Sequence, residues 1–264
     1  MTFVDPPTHA LADFQVEYDG LLMGPGTPFG VPPQWEFLNL SAVKTLDTAR
    51  IWGDGSYSGP DFSDVLTPTM PLEITATDEA SFADAVNDLR LAFGPKDTPA
   101  SLWFKLPGFP AEGIGAKVSS RTIPVDLTWG VLSVGSVQWR IPSHPVWQEP
   151  TQTVQLIGGN SILSGAWVAN EGNTDCYPYA VVSGPCSAFT LTVNGTGIGY
   201  VAALASGKQL VLDFLTGQAT IDSVLVNAGL TSQNWAPIPA DSNVQVQFDA
   251  DGGTCLFSYA SMWR

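Results

Sequence analysis

"NVQVQFDADGGTCLFSYASMW", residues 243 to 263, alternates apolar and polar side chains in two successive runs. Val244, Val246 and Phe248 share one face of the first run. After Asp251-Gly252-Gly253, residues Cys255, Phe257 and Tyr259 share one face of the second. A period of two is the signature of a half-buried strand, and an Asp-Gly-Gly break supplies the backbone freedom of a tight turn. The stretch is read as a β-hairpin that closes a sheet near the C-terminus.

The same alternation recurs upstream in "SLWFKLPG" (101–108), "KVSSRTIPVDLTW" (117–129), "GSVQWRIP" (135–142), "AFTLTVNG" (188–195) and "KQLVLDFLTG" (208–217). Glycine and proline together fill 47 of the 264 positions, hydrophobic residues make up 44% and charged residues only 13%. That balance suits many short strands joined by tight turns. One segment departs from it. In "TATDEASFADAVNDLRLAFGPKD" (75–97), Phe82, Ala85, Val86, Leu89 and Phe93 recur at helical spacing, Asp78 and Glu79 stand at the start, and Gly94-Pro95 closes the run. The spacing predicts one amphipathic helix over 79–93.

Three prolines in "RIPSHPVWQEPTQT" (140–153) interrupt the strand pattern and set a domain boundary near residue 149. Residues 1–149 carry eight basic and eighteen acidic side chains, a balance of -10, and residues 150–264 carry two and seven, a balance of -5. A chain with a net charge of -15 is a poor partner for nucleic acid or an anionic membrane. The apolar stretches break well before the ~18 residues of a membrane span. "MTFVDPPTHALADF" (1–14) has neither the basic start nor the apolar core of a secretory leader, so synthesis and folding in a cytoplasm are expected.

Candidate chemistry is sparse. "ARIWGDGSYSGPDFSDV" (49–65) holds Gly53, Gly55 and Gly59 beside Asp61 and Asp64, with no lysine until Lys96. A phosphate cradle needs converging N–H groups and a cation, and carboxylates repel the ligand, so these glycines are read as a turn between two strands. His9 and His144 are the whole imidazole inventory, neither has a partner in sequence, and no G-x-S-x-G occurs, so no hydrolase triad is expected. "DADGG" (249–253) and "GDGSYSGPD" (53–61) lack the closing glutamate of a calcium loop. Cys176, Cys186 and Cys255 are an odd number without C-x-x-C spacing and are read as small buried or half-buried apolar residues. No catalytic residue, metal ligand or cofactor site is assigned.

Two alternatives stay open at this point. Paired carboxylates across a groove cleave glycosides, but Glu17, Glu36, Glu112, Glu149 and Glu171 are read as loop or strand-end residues. Trp167, Tyr177, Tyr179, Tyr200 and Trp235 offer aromatic faces for stacking a sugar, against the alternative that they fill a core or an interface.

The order of motifs resembles the distal tail proteins of long-tailed, non-contractile phages. It is carried by "ARIWGDGSYSGPDF" (49–62), "PLEITAT" (71–77), the helix "DEASFADAVNDLRLAF" (78–93), "SLWFKLPG", "SSRTIPVDLTW" (119–129) and "VQWRIPSHPVW" (137–147). It continues through "NEGNTDCYPYAVVSG" (170–184), "FTLTVNG" (189–195), "KQLVLDFLTG" and "NWAPIPADSNVQVQF" (234–248). The resemblance implies a mainly β chain: a ring-forming N-terminal belt domain with one helix over 1–149, then a galectin-like β-sandwich over 150–264. It also implies a structural, non-enzymatic virion protein of the tail tip, present as a homo-hexameric ring between the tail tube protein and the tail-tip and tape-measure proteins. A carbohydrate-binding module for a host surface glycan is the alternative function.

Overall fold

The computed structural model describes residues 3–32, 35–39, 43–45, 47–49, 54, 56–57, 61–123, 132–141, 146–159 and 164–264. Among the described residues the chain is mainly β, with one α-helix, and it divides into two compact units. One runs from Val4 to Pro145; the other comprises Val146–Arg264 and the first three residues.

In the first unit an antiparallel sheet runs, in spatial order, through Leu21–Met23, Val16–Tyr18, Ala100–Lys105, Ala111–Thr122, Leu132–Arg140, Thr69–Thr75 and Phe29–Gly30. Its two ends approach where Gly24 N donates to the Phe29 carbonyl at 2.7 Å, giving a nearly closed barrel. Alternation decides what lies inside. Val16 and Tyr18, Leu102 and Phe104, Ile114 and Ala116, Val137 and Trp139, and Met70, Leu72 and Ile74 are all buried.

The helix Glu79–Ala92 packs Phe82, Ala85, Val86, Leu89 and Ala92 inward, as its spacing predicts. Asp78 caps it: its Oδ1 accepts from Ser81 N at 2.8 Å, and Ser81 Oγ accepts from Asp78 N at 3.3 Å. At the far end Arg121 reaches from the sheet to donate to the Arg90 carbonyl at 2.8 Å, where a cation also complements the helix dipole. Phe93 then stacks on Tyr18, with centroids 5.6 Å apart.

The "KVSSRTIPVDLTW" strand continues to Thr122, and residues 124–131 lie outside the described set. Gly53, Gly55, Gly59 and His144 lie outside it as well. Around those glycines, Val43–Thr45 pairs with Asp61–Ser63 and Thr48–Ala49 with Ser56–Tyr57, each antiparallel.

The second unit is a sandwich. Six strands, Gln152–Ile157, Thr254–Tyr259, Tyr179–Ser183, Gln209–Asp213, Gln218–Ile221 and Val224–Leu225, form one sheet. Five strands, Ser164–Asn170, Ser242–Ala250, Phe189–Val193, Thr196–Tyr200 and Leu230–Gln233, form the other, and the two share one apolar core. The expected hairpin over 243–259 is not one. Ser242–Ala250 pairs with Ser164–Asn170 and Phe189–Val193, whereas Thr254–Tyr259 pairs with Gln152–Ile157 and Tyr179–Ser183. The chain arches from one sheet to the other, so Phe248 and Phe257 approach the core from opposite sides. Alternation is the same in a hairpin and in an arch; only the pairing partners distinguish them.

The arch loop has no room for side chains. A Cβ on Gly252 would lie 2.7 Å from the Pro185 carbonyl oxygen, and one on Gly253, at φ +75°, 2.5 Å from that of Ser183. Asp251 fastens the same contact, accepting from Ser187 N at 2.8 Å and from Ser187 Oγ at 2.6 Å. These bonds hold its carboxyl below the ordinary value of 3.8.

Candidate functional site

In the first unit the N-terminal segment lies against the outside of the barrel and is tied down at two places. Trp103, pointing away from the barrel interior, donates its indole N–H to the Asp5 carbonyl at 2.8 Å. Its ring lies flat over Gly113, where a Cβ would stand 2.3 Å from Trp103 Cδ2. Next to Trp103 in register is Glu17, 1% exposed, in the middle of Val16–Tyr18. Its carboxylate accepts from Thr8 N at 2.6 Å and from His9 N at 2.9 Å, and meets His9 Nδ1 at 2.8 Å.

Two expectations are corrected here. Glu17 is a buried mid-strand residue rather than a strand end, and His9 has a partner eight residues away. Neither was visible as a pattern, because the segment 4–12 has no periodicity and the pair forms only when it folds back over the sheet.

Two of the other glutamates serve local structure. Glu36 accepts from Thr69 N at 2.9 Å, and Glu149 from Trp263 Nε1 at 3.2 Å. Glu171 directly follows the strand Ser164–Asn170. Glu112 is buried opposite Phe104, in the row that contains Val16, whereas Glu17 shares the row of Trp103 and Gly113. Neighbouring rows face opposite sides of a sheet, so these two buried carboxylates do not converge on one groove. A cavity of about 150 Å³ in this unit is lined by Phe14, Trp35, Phe37, Leu38, Phe104 and Leu106, which bring no acid, base or nucleophile. No cluster of three metal-ligating side chains occurs among the described residues.

The three cysteines are buried free thiols. Burial pushes Cys176 up to about 11 and Cys255 up to about 12, and raises Cys186 as well. A thiol held protonated is a weak nucleophile, so they act as packing groups.

The aromatic candidates do not form one platform. Tyr200 is buried against Phe189, with centroids 5.6 Å apart, and Trp235 sets its edge on Phe214 at 5.5 Å. Tyr179 lies on the outer face of the six-stranded sheet, beside the partners Ser258 and Asp213. Tyr177 sits in the loop that precedes it. Trp167 stands on the five-stranded sheet with 65% of its surface exposed.

The chain, a nearly closed barrel with a helix and then a two-sheet sandwich among the described residues, is similar in fold to solved phage proteins over nearly its whole length. The Dit protein of phage SPP1, described as a paradigm of the hub adsorption apparatus in phages infecting Gram-positive hosts, superimposes with a TM-score of 0.65. The match covers 96% of this chain and 100% of that one at 11% identity. The chain has the fold of a phage distal tail protein. A baseplate protein of phage P2, solved in its activated conformation with calcium, matches with a TM-score of 0.52 and 10% identity over 94% of this chain and 97% of that one. No family model and no curated protein sequence matches the chain. The likeness to distal tail proteins is therefore one of fold rather than of shared residues.

Proposed function

We propose that this chain is a structural protein of a phage tail tip or baseplate hub: a belt domain that closes a homo-hexameric ring, and a galectin-like sandwich that decorates it. The ring joins the tail tube protein to the tail-tip and tape-measure proteins, and its place is the virion. The observation that carries this reading is the end-to-end correspondence with SPP1 Dit, in which both units of the chain find counterparts. The composition supports it. Repelling DNA from the wall of a channel calls for acidic side chains, and residues 1–149 have a balance of -10. The reading assigns no catalytic residue and no cofactor: the work is assembly and mechanical connection. Negative-stain microscopy of the purified full-length chain tests it, with six-fold rings as the expected image and isolated single subunits as the contrary one.

A second reading, recognition of a host surface glycan by the sandwich, is favoured by one observation: the exposed Trp167 on an open sheet face.

A further inference from the structure

The outer face of the five-stranded sheet is polar and nearly uncharged. Alternation turns Val168, Val244 and Val246 into the core and leaves Trp167, Asn243, Gln245 and Gln247 pointing out. Register places Trp167 opposite Gln245, and Gly165 opposite Gln247, which in turn faces Thr192. A Cβ at Gly165 would lie 3.4 Å from Gln247 Cγ and 3.6 Å from Gln245 Nε2. Both amide side chains thus border the same bare patch of backbone, two residues along the strand from the indole.

Among the described residues, the Trp167 N–H and the side-chain amides of Asn243, Gln245 and Gln247 make no hydrogen bond to protein. The face carries one carboxylate, Asp249, and no lysine or arginine among the described residues. The only cations of residues 150–264 are Lys208 and Arg264, and Lys208 is paired with Asp222 at 2.6 Å.

This chemistry selects a ligand class. A phosphate-bearing wall polymer needs cations, and none are here. A protein anchor needs an apolar pocket that is fully desolvated on binding, whereas the indole stands on an edge strand beside the amide of Gln245. A neutral sugar chain fits both halves of the surface, with the CH face of a pyranose against the indole and its hydroxyls toward groups that both donate and accept.

We propose that this face binds a neutral polysaccharide, one pyranose stacked on Trp167 and its neighbours held by Gln245, Gln247 and Asn243. The inference rests on the glycan reading of the sandwich and is independent of ring formation.

The test is native affinity electrophoresis of the full-length chain through gels containing neutral glucans, galactans, mannans or rhamnans, and in parallel gels containing poly(glycerol phosphate). At least one neutral glycan is expected to retard the protein. Trp167→Ala should weaken that retardation about tenfold, which corresponds to roughly 1.4 kcal/mol. Gln245→Ala should weaken it less, and Leu225→Ser, a change in the other sheet, should leave it unchanged. Thermal melts of each variant verify that the sandwich still folds. No retardation across the neutral panel, retardation by the polyanion alone, or equal retardation of Trp167→Ala overturns the proposal. A change in particle mass in Trp167→Ala without a change in retardation makes the face a protein contact and overturns it too. Retarded monomers would remove the ring reading and leave this one standing; intact rings that no glycan retards would do the reverse.

Discussion

His9 Nδ1 and Glu17 Oε2 lie 2.8 Å apart, and the Glu17 carboxylate also takes the backbone N–H groups of Thr8 and His9. One buried acid therefore holds the N-terminal segment on the barrel. Glu17→Ala removes three charge-assisted bonds and should lower stability by about 1.5–3 kcal/mol. A lower urea midpoint together with faster proteolytic cutting within residues 4–12 is the expected result. An unchanged midpoint would mean that the Glu17 bonds contribute nothing to the unit.

The helix is held by one face. Phe82→Ala or Leu89→Ala empties a buried site and should cost about 2–5 kcal/mol. The exposed Asp84 and Asp88 should accept alanine within about 0.5 kcal/mol. Denaturant titration of the four variants measures the contrast, and equal costs would show the wrong face to be buried.

Asp251 gives the arch a pH dependence of definite sign. Its bonds to Ser187 hold the folded-state carboxyl below 3.8, so the unfolded chain binds a proton more readily as pH falls. Its contribution is complete above the ordinary carboxylate range and is lost as pH drops through the depressed folded value. Asp251→Ala should therefore melt below the wild type at neutral pH, and the gap between the two melting temperatures should close in strong acid. A gap that widens on acidification would contradict the assignment.

The unit boundary makes a prediction about fragments. Trp147–Gln148 pairs antiparallel with Met262–Trp263, and Val146 and Met262 belong to the sandwich core. A fragment of residues 146–264 should fold alone with a β spectrum and a cooperative melt, and one of residues 150–264 should melt lower because it loses this pair. Equal melting temperatures would show the pair to be idle.

Much of the architecture could be read before any coordinates, for a physical reason. Periodicity reports which face of an element is buried, and that is why Phe82 through Leu89 announced a helix and Val244 through Phe248 a strand. Periodicity says nothing about which strand lies alongside. The Asp-Gly-Gly break at 251–253 serves an arch as well as a hairpin, and the choice between them rests on contacts with Ser183 and Pro185, about seventy residues earlier in the chain. Glu17 was hidden for a related reason. A single carboxylate in a strand looks exposed until an aperiodic segment folds over it. Trp167 was among the aromatic candidates, but five aromatics in a sequence do not say which are core. Burial of Tyr200 and exposure of Trp167 separate them.

The ring is the claim on which the functional account depends most, and the mass of the purified full-length chain in solution tests it most directly. Multi-angle light scattering should return about six times the 28.0 kDa of one chain, and that mass should hold on dilution. A mass of one chain across the whole accessible concentration range would contradict the account.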